Sequence, residues 1–349
     1  MNFQQLAAAS DFFILLAMVV YMMAFVAFAI DLAKAVRVRS DVRLAKKTRE
    51  RELATVGAPA SLDDSAGTAA AADLDLSDGA DDAEAELAPA RGMNPLTFAL
   101  GAAAIATAFQ LLGVIARGIA TQRVPWGNMY EFSMTGAAVI MAIFLLLAHR
   151  VRDMRRLGLF VLTPVLFIMV IAYTSWYLPA AHLTPSLQNS PWLVIHVIVA
   201  ILSMALFSLS AVVALLQLFQ HSRESRLEAG NEAGSSLLDR VLERVPDAKR
   251  LEQIAFQTTA VGFVLWTFTL IFGAIWANYA WGRYWNWDPK ETWTFVIWIV
   301  YAVYLHARAT VGFRGKIAAY FCIAGFVCVI FNYTIVNTVI NGLHSYSGL

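Results

Sequence analysis

The stretch WANYAWGRYWNWDPKETW, residues 276–293, places Trp276, Trp281, Trp285, Trp287 and Trp293 within eighteen residues, half of the ten tryptophans in the chain. An aromatic belt at a membrane interface accounts for one or two tryptophans per helix end, not for five with Tyr279 and Tyr284 beside them. Indole faces offer stacking surfaces worth about 0.5–1.5 kcal/mol each beyond the area they bury. A group of them therefore suits a large planar ligand better than a polar metabolite. Part of the stretch has an ordinary structural purpose, because Asp288 as N-cap, Pro289 at the first helical position and Glu291 three residues after the cap spell a helix start. Both carboxylates are accordingly expected to serve the helix start rather than acid–base chemistry.

Among large planar ligands, haem also needs axial donors, and neutral imidazole is a common one. His196 lies five residues into an apolar run and His344 follows the last one, both at the end of the protein that carries the tryptophans, where Arg283 and Lys290 could meet carboxylates. His306 ends another run at the opposite end, while His149 and His221 abut basic residues and read as satisfied interface histidines; His182 sits in the loop before His196. A quinone is the competing planar ligand, but it does not call for paired histidines. Cys322 and Cys328, six apart in an apolar run, form neither a disulfide framework nor a CxxC motif.

These side chains must be positioned by membrane helices. The chain has 349 residues, of which 59% are hydrophobic and only 15% charged, whereas soluble domains average about 25% charged. About 20 apolar residues cross a bilayer as a helix, and eight runs approach or exceed that length, near 12–32, 96–116, 130–148, 158–178, 192–219, 254–276, 292–307 and 317–340. The first has no basic residue before Lys34 and reads as a retained anchor rather than a cleaved signal. The expected fold class is all-α, a polytopic membrane bundle of about eight transmembrane helices.

Basic residues orient it. Nine Lys and Arg fall between Lys34 and Arg91, four in 149–156, six in 221–253 and three in 308–316; the alternate connections hold only Arg117, Arg123, Arg283 and Lys290. The positive-inside rule puts the first group in the cytoplasm, so the tryptophan loop and both termini are expected on the outer face of the cytoplasmic membrane. The expected organisation is an N-terminal anchor over 1–33, a basic then acidic disordered cytoplasmic linker over 34–94, and a seven-helix domain over 95–349. Leu238, Val241, Leu242 and Val245 further predict a short amphipathic helix within 236–252.

Several function classes are disfavoured. The net charge of +1 gives no basic excess for nucleic acid, and no GxxxxGK[ST] or GxGxxG phosphate loop occurs. The spans from residue 96 onward carry no charged residue away from their ends, so proton or ion transport, which relies on intramembrane carboxylates, has little support.

WGRYWNWDPKETW closely resembles the "WWD" signature of the haem-handling proteins of cytochrome c biogenesis. With PWGNMYEF (125–132), PSLQNSPWLVIHV (185–197), YLHAR (304–308) and NGLHSYSGL (341–349), the chain from about residue 95 is similar to the CcsA/ResC/CcsB family. The resemblance implies that the loop, with Trp276, Trp281, Trp285, Trp287, Arg283 and Asp288, holds haem b. It further implies that His196 and His344 are axial ligands of the haem iron, and that His306 belongs to an inner haem site completed by a ResB/Ccs1-like membrane partner. The function implied is a cytochrome c synthase subunit that takes haem from the cytoplasmic side and supports its thioether attachment to the CxxCH of apocytochrome c. A haem exporter without bond-forming activity, or a quinone-binding assembly protein, are the alternatives. The first span and the linker fall outside the resemblance.

Overall fold

A computed structural model describes residues 2–56, 94–181, 190–230, 236–310 and 312–343. The described residues are helical and turn, with no strand among them. In chain order the helices are α1 (Phe3–Val56), α2 (Pro95–Thr121), α3 (Met129–Arg150), α4 (Gly158–Ser175), α5 (Pro191–Glu228), α6 (Leu237–Leu242), α7 (Ala248–Trp281), α8 (Pro289–Thr310), α9 (Lys316–Tyr333) and the single turn α10 (Ile335–Thr338). Among the described residues seven helices, α1 to α5, α7 and α9, are long and apolar enough to cross a membrane. α8 is the remaining expected span; its 22 residues reach about 33 Å at 1.5 Å per residue, and its lower apolarity comes from Lys290, Glu291, His306 and Arg308. The chain is thus a multi-pass membrane protein.

Long helices alternate in direction, so the α2–α3 and α7–α8 connections, the start of α5 and the end of α9 meet at one end of the bundle, the loop end. α1 does not stop at residue 33: its backbone stays helical to Val56, through the basic half of the expected linker. The acidic half, 57–93, lies outside the described residues, as does His182.

Lipid offers no hydrophobic drive for helix pairing, so small side chains and buried polar groups do the joining. α1 and α2 meet through Ala17, Ala24, Ala99, Ala103 and Ala106, all without solvent exposure. Tyr21 of α1 bonds Thr107 Oγ1 and donates to Gln110 Oε1, both at 2.9 Å, and Gln110 Nε2 donates to the Met134 carbonyl of α3. α5 and α7 are tied by Ser203 donating to the Gly262 carbonyl at 2.7 Å. Phe207 of α5 stacks on Tyr301 of α8 with centroids 3.9 Å apart. The expected amphipathic segment resolves into the six-residue α6 and a turn; Leu242 and Val245 are buried in the bundle core, while Leu238 is exposed.

Candidate functional site

At the loop end, α5, α7, α8, α9 and the α2–α3 connection enclose a cavity of about 690 Å³. That volume falls in the range of sites for cofactor-sized molecules, about 300–1,000 Å³. Its aromatic walls include Trp126, Trp266, Trp276, Trp285, Tyr284 and Tyr333. Among its polar groups are His196, Arg123, Lys290, Glu291, Asn332 and Asn337.

Pro191 starts α5 and brings His196 into its second turn. Across from it α7 carries Gly273, where a Cβ would stand 2.8 Å from His196 Cε1 and 3.0 Å from Nδ1. The missing side chain is what lets the imidazole lie against the α7 backbone. There Nδ1 sits 3.0 Å from the Thr269 carbonyl oxygen. A carbonyl only accepts, so this bond requires the proton on Nδ1, which in the neutral ring leaves the lone pair on Nε2. A histidine whose Nδ1–H is held by a backbone carbonyl is the usual arrangement of an imidazole that ligates metal through Nε2. Trp276, one turn beyond Gly273, lies nearly parallel to the imidazole at 6.3 Å, and Trp281 meets Trp276 edge-on at 4.8 Å.

α7 ends where Gly282 takes a left-handed φ of +72° and donates its N–H to the Asn278 carbonyl, the αL stop that glycine permits. Trp287 is also left-handed, with φ +57°, a conformation a bulky residue adopts only when its surroundings impose it. The constraint is visible. Glu291 Oε2 accepts from the Asn286 and Asp288 N–H groups at 2.8 and 3.2 Å, and Glu291 Oε1 accepts from Arg283 at 3.0 Å. Asp288 Oδ2 accepts from Lys290 N, which completes the expected capping box. The other oxygen, Oδ1, accepts from Leu343 N at 2.7 Å, so Asp288 also ties the segment that follows α10 to the loop.

The sequence-derived site residues therefore separate. His196, Trp276 and Trp285 line the cavity, whereas Trp281, Arg283 and Asp288 stand behind its wall as packing, ion-pair and capping partners. Trp287 is 66% exposed and meets Trp285 edge-on at 5.6 Å, and Trp293 packs on Phe331 at 4.2 Å. His306 lies on an exposed face of α8 near its other end, twelve residues or about 18 Å from the cavity-lining Thr294. His344 lies outside the described residues.

Sequence reasoning left Arg123 and Glu131 unassigned and passed over Trp126 as a wall. The structure joins Arg123 to Glu131 and puts Trp126 on the cavity wall. Glu131, with no exposed side-chain surface, is at the third position of α3, where Asn128 caps its N–H. Its carboxylate accepts from Arg117 Nε at 2.9 Å, from both terminal nitrogens of Arg123 at 2.6 and 3.1 Å, and from Gly127 N at 2.9 Å. Arg117 extends the network to Asp11 of α1, 3.6 Å away, which accepts from Tyr177 OH at 2.7 Å. The signal available in sequence was the spacing of Asn128 and Glu131, the same cap-and-three pattern as Asp288 and Glu291.

The family model described as "Cytochrome C assembly protein" matches residues 126–344. The chain belongs to the cytochrome c assembly protein family. Among its relatives is a "Cytochrome c biogenesis protein CcsA" of Prochlorococcus marinus, 37% identical over 204 residues, covering 53% of this chain and 64% of the relative. That of Mesostigma viride is 34% identical over 239 residues, 64% of this chain and 77% of the relative. That of a second P. marinus strain, NATL2A, is 35% identical over 269 residues, 70% of this chain and 82% of the relative. The chain thus spans between about two thirds and four fifths of the length of these relatives. Within this cytochrome c assembly protein, the cavity walls from Trp126 to Asn337 fall inside the matched region, while α1, with Asp11, lies outside it.

Proposed function

We propose that this cytochrome c assembly protein is the haem-handling membrane subunit of a cytochrome c synthase, holding haem b in the loop-end cavity with His196 as an axial ligand. The observation that carries the reading is His196 itself, with its proton fixed on Nδ1 by the Thr269 carbonyl, its ring parallel to Trp276, at the wall of an aromatic cavity of about 690 Å³. A quinone needs no such imidazole.

His344 is the second axial ligand in this reading. Its support is the bond from Leu343, the residue before it in sequence, to Asp288 in the tryptophan loop. The positive-inside distribution puts the cavity at the outer face of the cytoplasmic membrane. His306 then faces the cytoplasmic side, and its exposed position suits an inner haem site completed by a ResB-like partner. The CxxCH thiols of apocytochrome c add across the two haem vinyl groups, sulfur bonding to one vinyl carbon and the thiol proton ending on the other, with no net oxidation. This chain's contribution is positioning: a fixed ligand and aromatic stacking surfaces hold the acceptor against the incoming thiols.

The test is the absorption spectrum of the full chain purified with its membrane partner. A reduced bis-histidine spectrum is expected, lost in His196→Ala and partly restored by added imidazole. His344→Ala should retain haem at the inner site, and His306→Ala should deplete both sites. Covalent haem on co-expressed apocytochrome separates a synthase from an exporter, which would accumulate haem without product. Unchanged haem content in His196→Ala would overturn the reading.

A further inference from the structure

Haem taken up at the His306 end must reach the loop-end cavity, and the bundle core between the two is shut. Trp266, Ile297, Tyr301 and Phe207 fill it at 3% exposure or less. Phe207 and Tyr301 stack at 3.9 Å, and each presses on a glycine of another helix: an added Cβ at Gly262 would stand 2.9 Å from Phe207 Cε1, and one at Gly325 would stand 2.6 Å from Tyr301 Cζ. Trp266 Nε1 donates to the Thr294 carbonyl at 3.0 Å and ties α7 to α8 at the cavity wall. Interiors are packed as densely as crystals, so a flat macrocycle crossing here would have to part α5, α7, α8 and α9 together.

The outward side of the α7–α8 pair offers a different surface. Trp285, a wall of the cavity, meets Phe295 edge-on at 6.2 Å. Phe295 lies nearly parallel to Trp298 at 6.0 Å, and Trp298 meets Phe263 of α7 at 5.6 Å. All of these rings are only partly buried. The single donor of Trp298, Nε1, is satisfied by Thr267 Oγ1 at 3.0 Å, which holds the indole in place. Seven residues down α7 from Phe263, or about 10 Å, Phe256 carries the Arg308 guanidinium over its ring at 4.3 Å. Between these levels the small residues Ala260 and Ala302 follow, three residues from Phe263 and four from Trp298. Phe295, Ala302 and His306, at steps of seven and four residues, share one stripe of α8.

We infer that haem travels between the two ends along this aromatic strip on the outward side of the α7–α8 pair, with its ring against Trp298 and Phe295, and enters the cavity past Trp285. Lipid tails and neighbouring helices are met well by aliphatic side chains. A run of rings that starts on the stripe of His306 and continues into the cavity wall suits a planar traveller instead, since each ring offers a stacking face to the next position of the macrocycle. The level of Ala260 and Ala302 leaves the strip unfilled where it turns toward His306. The inference rests on the proposed haem function and adds the route to it, and its test is built to fail separately from that reading.

The experiment measures haem in the full chain co-purified with its membrane partner from haem-replete cells, with His344→Ala as the reference that retains the inner site alone. Ala302→Trp fills the strip below Trp298. It should keep haem at the inner site, lose the loop-end haem acquired in cells, and still take up haem added directly to the purified loop end. Trp298→Leu stays apolar but removes a ring face. It should lower loop-end haem acquired in cells about two- to ten-fold, the worth of one stacking surface, and it decides the matter if Ala302→Trp does not fold. Phe207→Leu loosens the core stack and should leave delivery unchanged. Normal loop-end haem in both strip variants, or delivery raised by Phe207→Leu, overturns the route while the haem reading stands. Lost direct uptake in Trp298→Leu, the mark of a structural role, overturns it too, as does loss of the partner from the Ala302→Trp complex, which would make the strip a partner contact. A parent complex without haem at either end overturns the haem reading and the route together.

Discussion

The two ends of the bundle handle charge differently. At the loop end Glu131 is fully buried among Arg117, Arg123 and a backbone N–H, with Asp11 behind, and Glu291 binds Arg283 together with two backbone N–H groups. At the other end Arg250 pairs with Asp153 across side chains that are 41% and 42% exposed, Arg226 pairs with Asp239 while more than half exposed, and His306 stands on an exposed surface. The loop-end carboxylates are thus satisfied from within this chain. The other end presents His306 and two of its ion pairs outward. Two pairs there are exceptions: Arg223 meets Glu243 at 3.5 Å with both side chains largely buried, and Arg308 bonds the buried Glu252, which also accepts from Gly315 N at 2.9 Å, so the helix end beneath His306 is itself fixed.

The contrast breaks most directly at Glu131. Removing one member of a buried ion cluster leaves its partners uncompensated and costs about 3–5 kcal/mol, whereas exposed pairs contribute about 0–1 kcal/mol. Glu131→Ala should lower the denaturation midpoint in detergent strongly, and Asp153→Ala should barely move it. Comparable losses for the two would mean that the ends do not differ in this way.

Gly273→Ala sharpens the contrast inside the cavity wall. A methyl 2.8 Å from the imidazole must displace His196 or part α5 from α7, an overpacking cost of about 1–3 kcal/mol. Ligand spectra should shift as if His196 had been altered, although no liganding atom has changed. Gly136, whose added Cβ would meet nothing within 4 Å, is the control, and Gly136→Ala should leave both stability and spectrum near their starting values.

Asp288→Ala comes next. Loss of an N-cap costs about 0.5–2 kcal/mol, and the same change releases Leu343. The expected signature is a modest drop in stability with a larger loss of haem retained at the loop end, resembling His344→Ala in its spectrum. A stability loss with an unchanged spectrum would reduce Asp288 to a cap.

Much of this was legible in the sequence because membrane crossing imposes a coarse, local signal: the eight apolar runs became eight long helices. The Asp288–Glu291 cap was legible for the same reason, since its partners lie within a few residues. What escaped depended on distant chain segments. Tryptophans clustered in sequence scatter in space, Trp287 to solvent and Trp293 onto Phe331, while Trp126 and Trp266 arrive at the cavity from elsewhere. No local pattern shows that Glu131 will face Arg117 and Arg123, or that Gly273 makes room for His196. α1 was read as a separate anchor because its contact with the domain runs through Ala17, Ala24, Tyr21 and Asp11, residues ordinary in type and informative only by position.

The smallest expected effect on stability belongs to His306→Ala. The side chain is exposed, and surface substitutions away from caps and ion networks usually stay within about 0.5 kcal/mol, so folding and the loop-end cavity should be untouched. Its effect should appear in haem content alone, and in a particular order. If haem enters at this end, the loop-end site fills only through it in cells, yet the purified variant should still bind haem added directly to the loop end. Recovery on direct addition would separate a delivery residue from a structural one. Failure to recover would mean that the two ends are coupled through α8, which carries His306 near one terminus and Lys290, Glu291 and Thr294 of the cavity wall near the other.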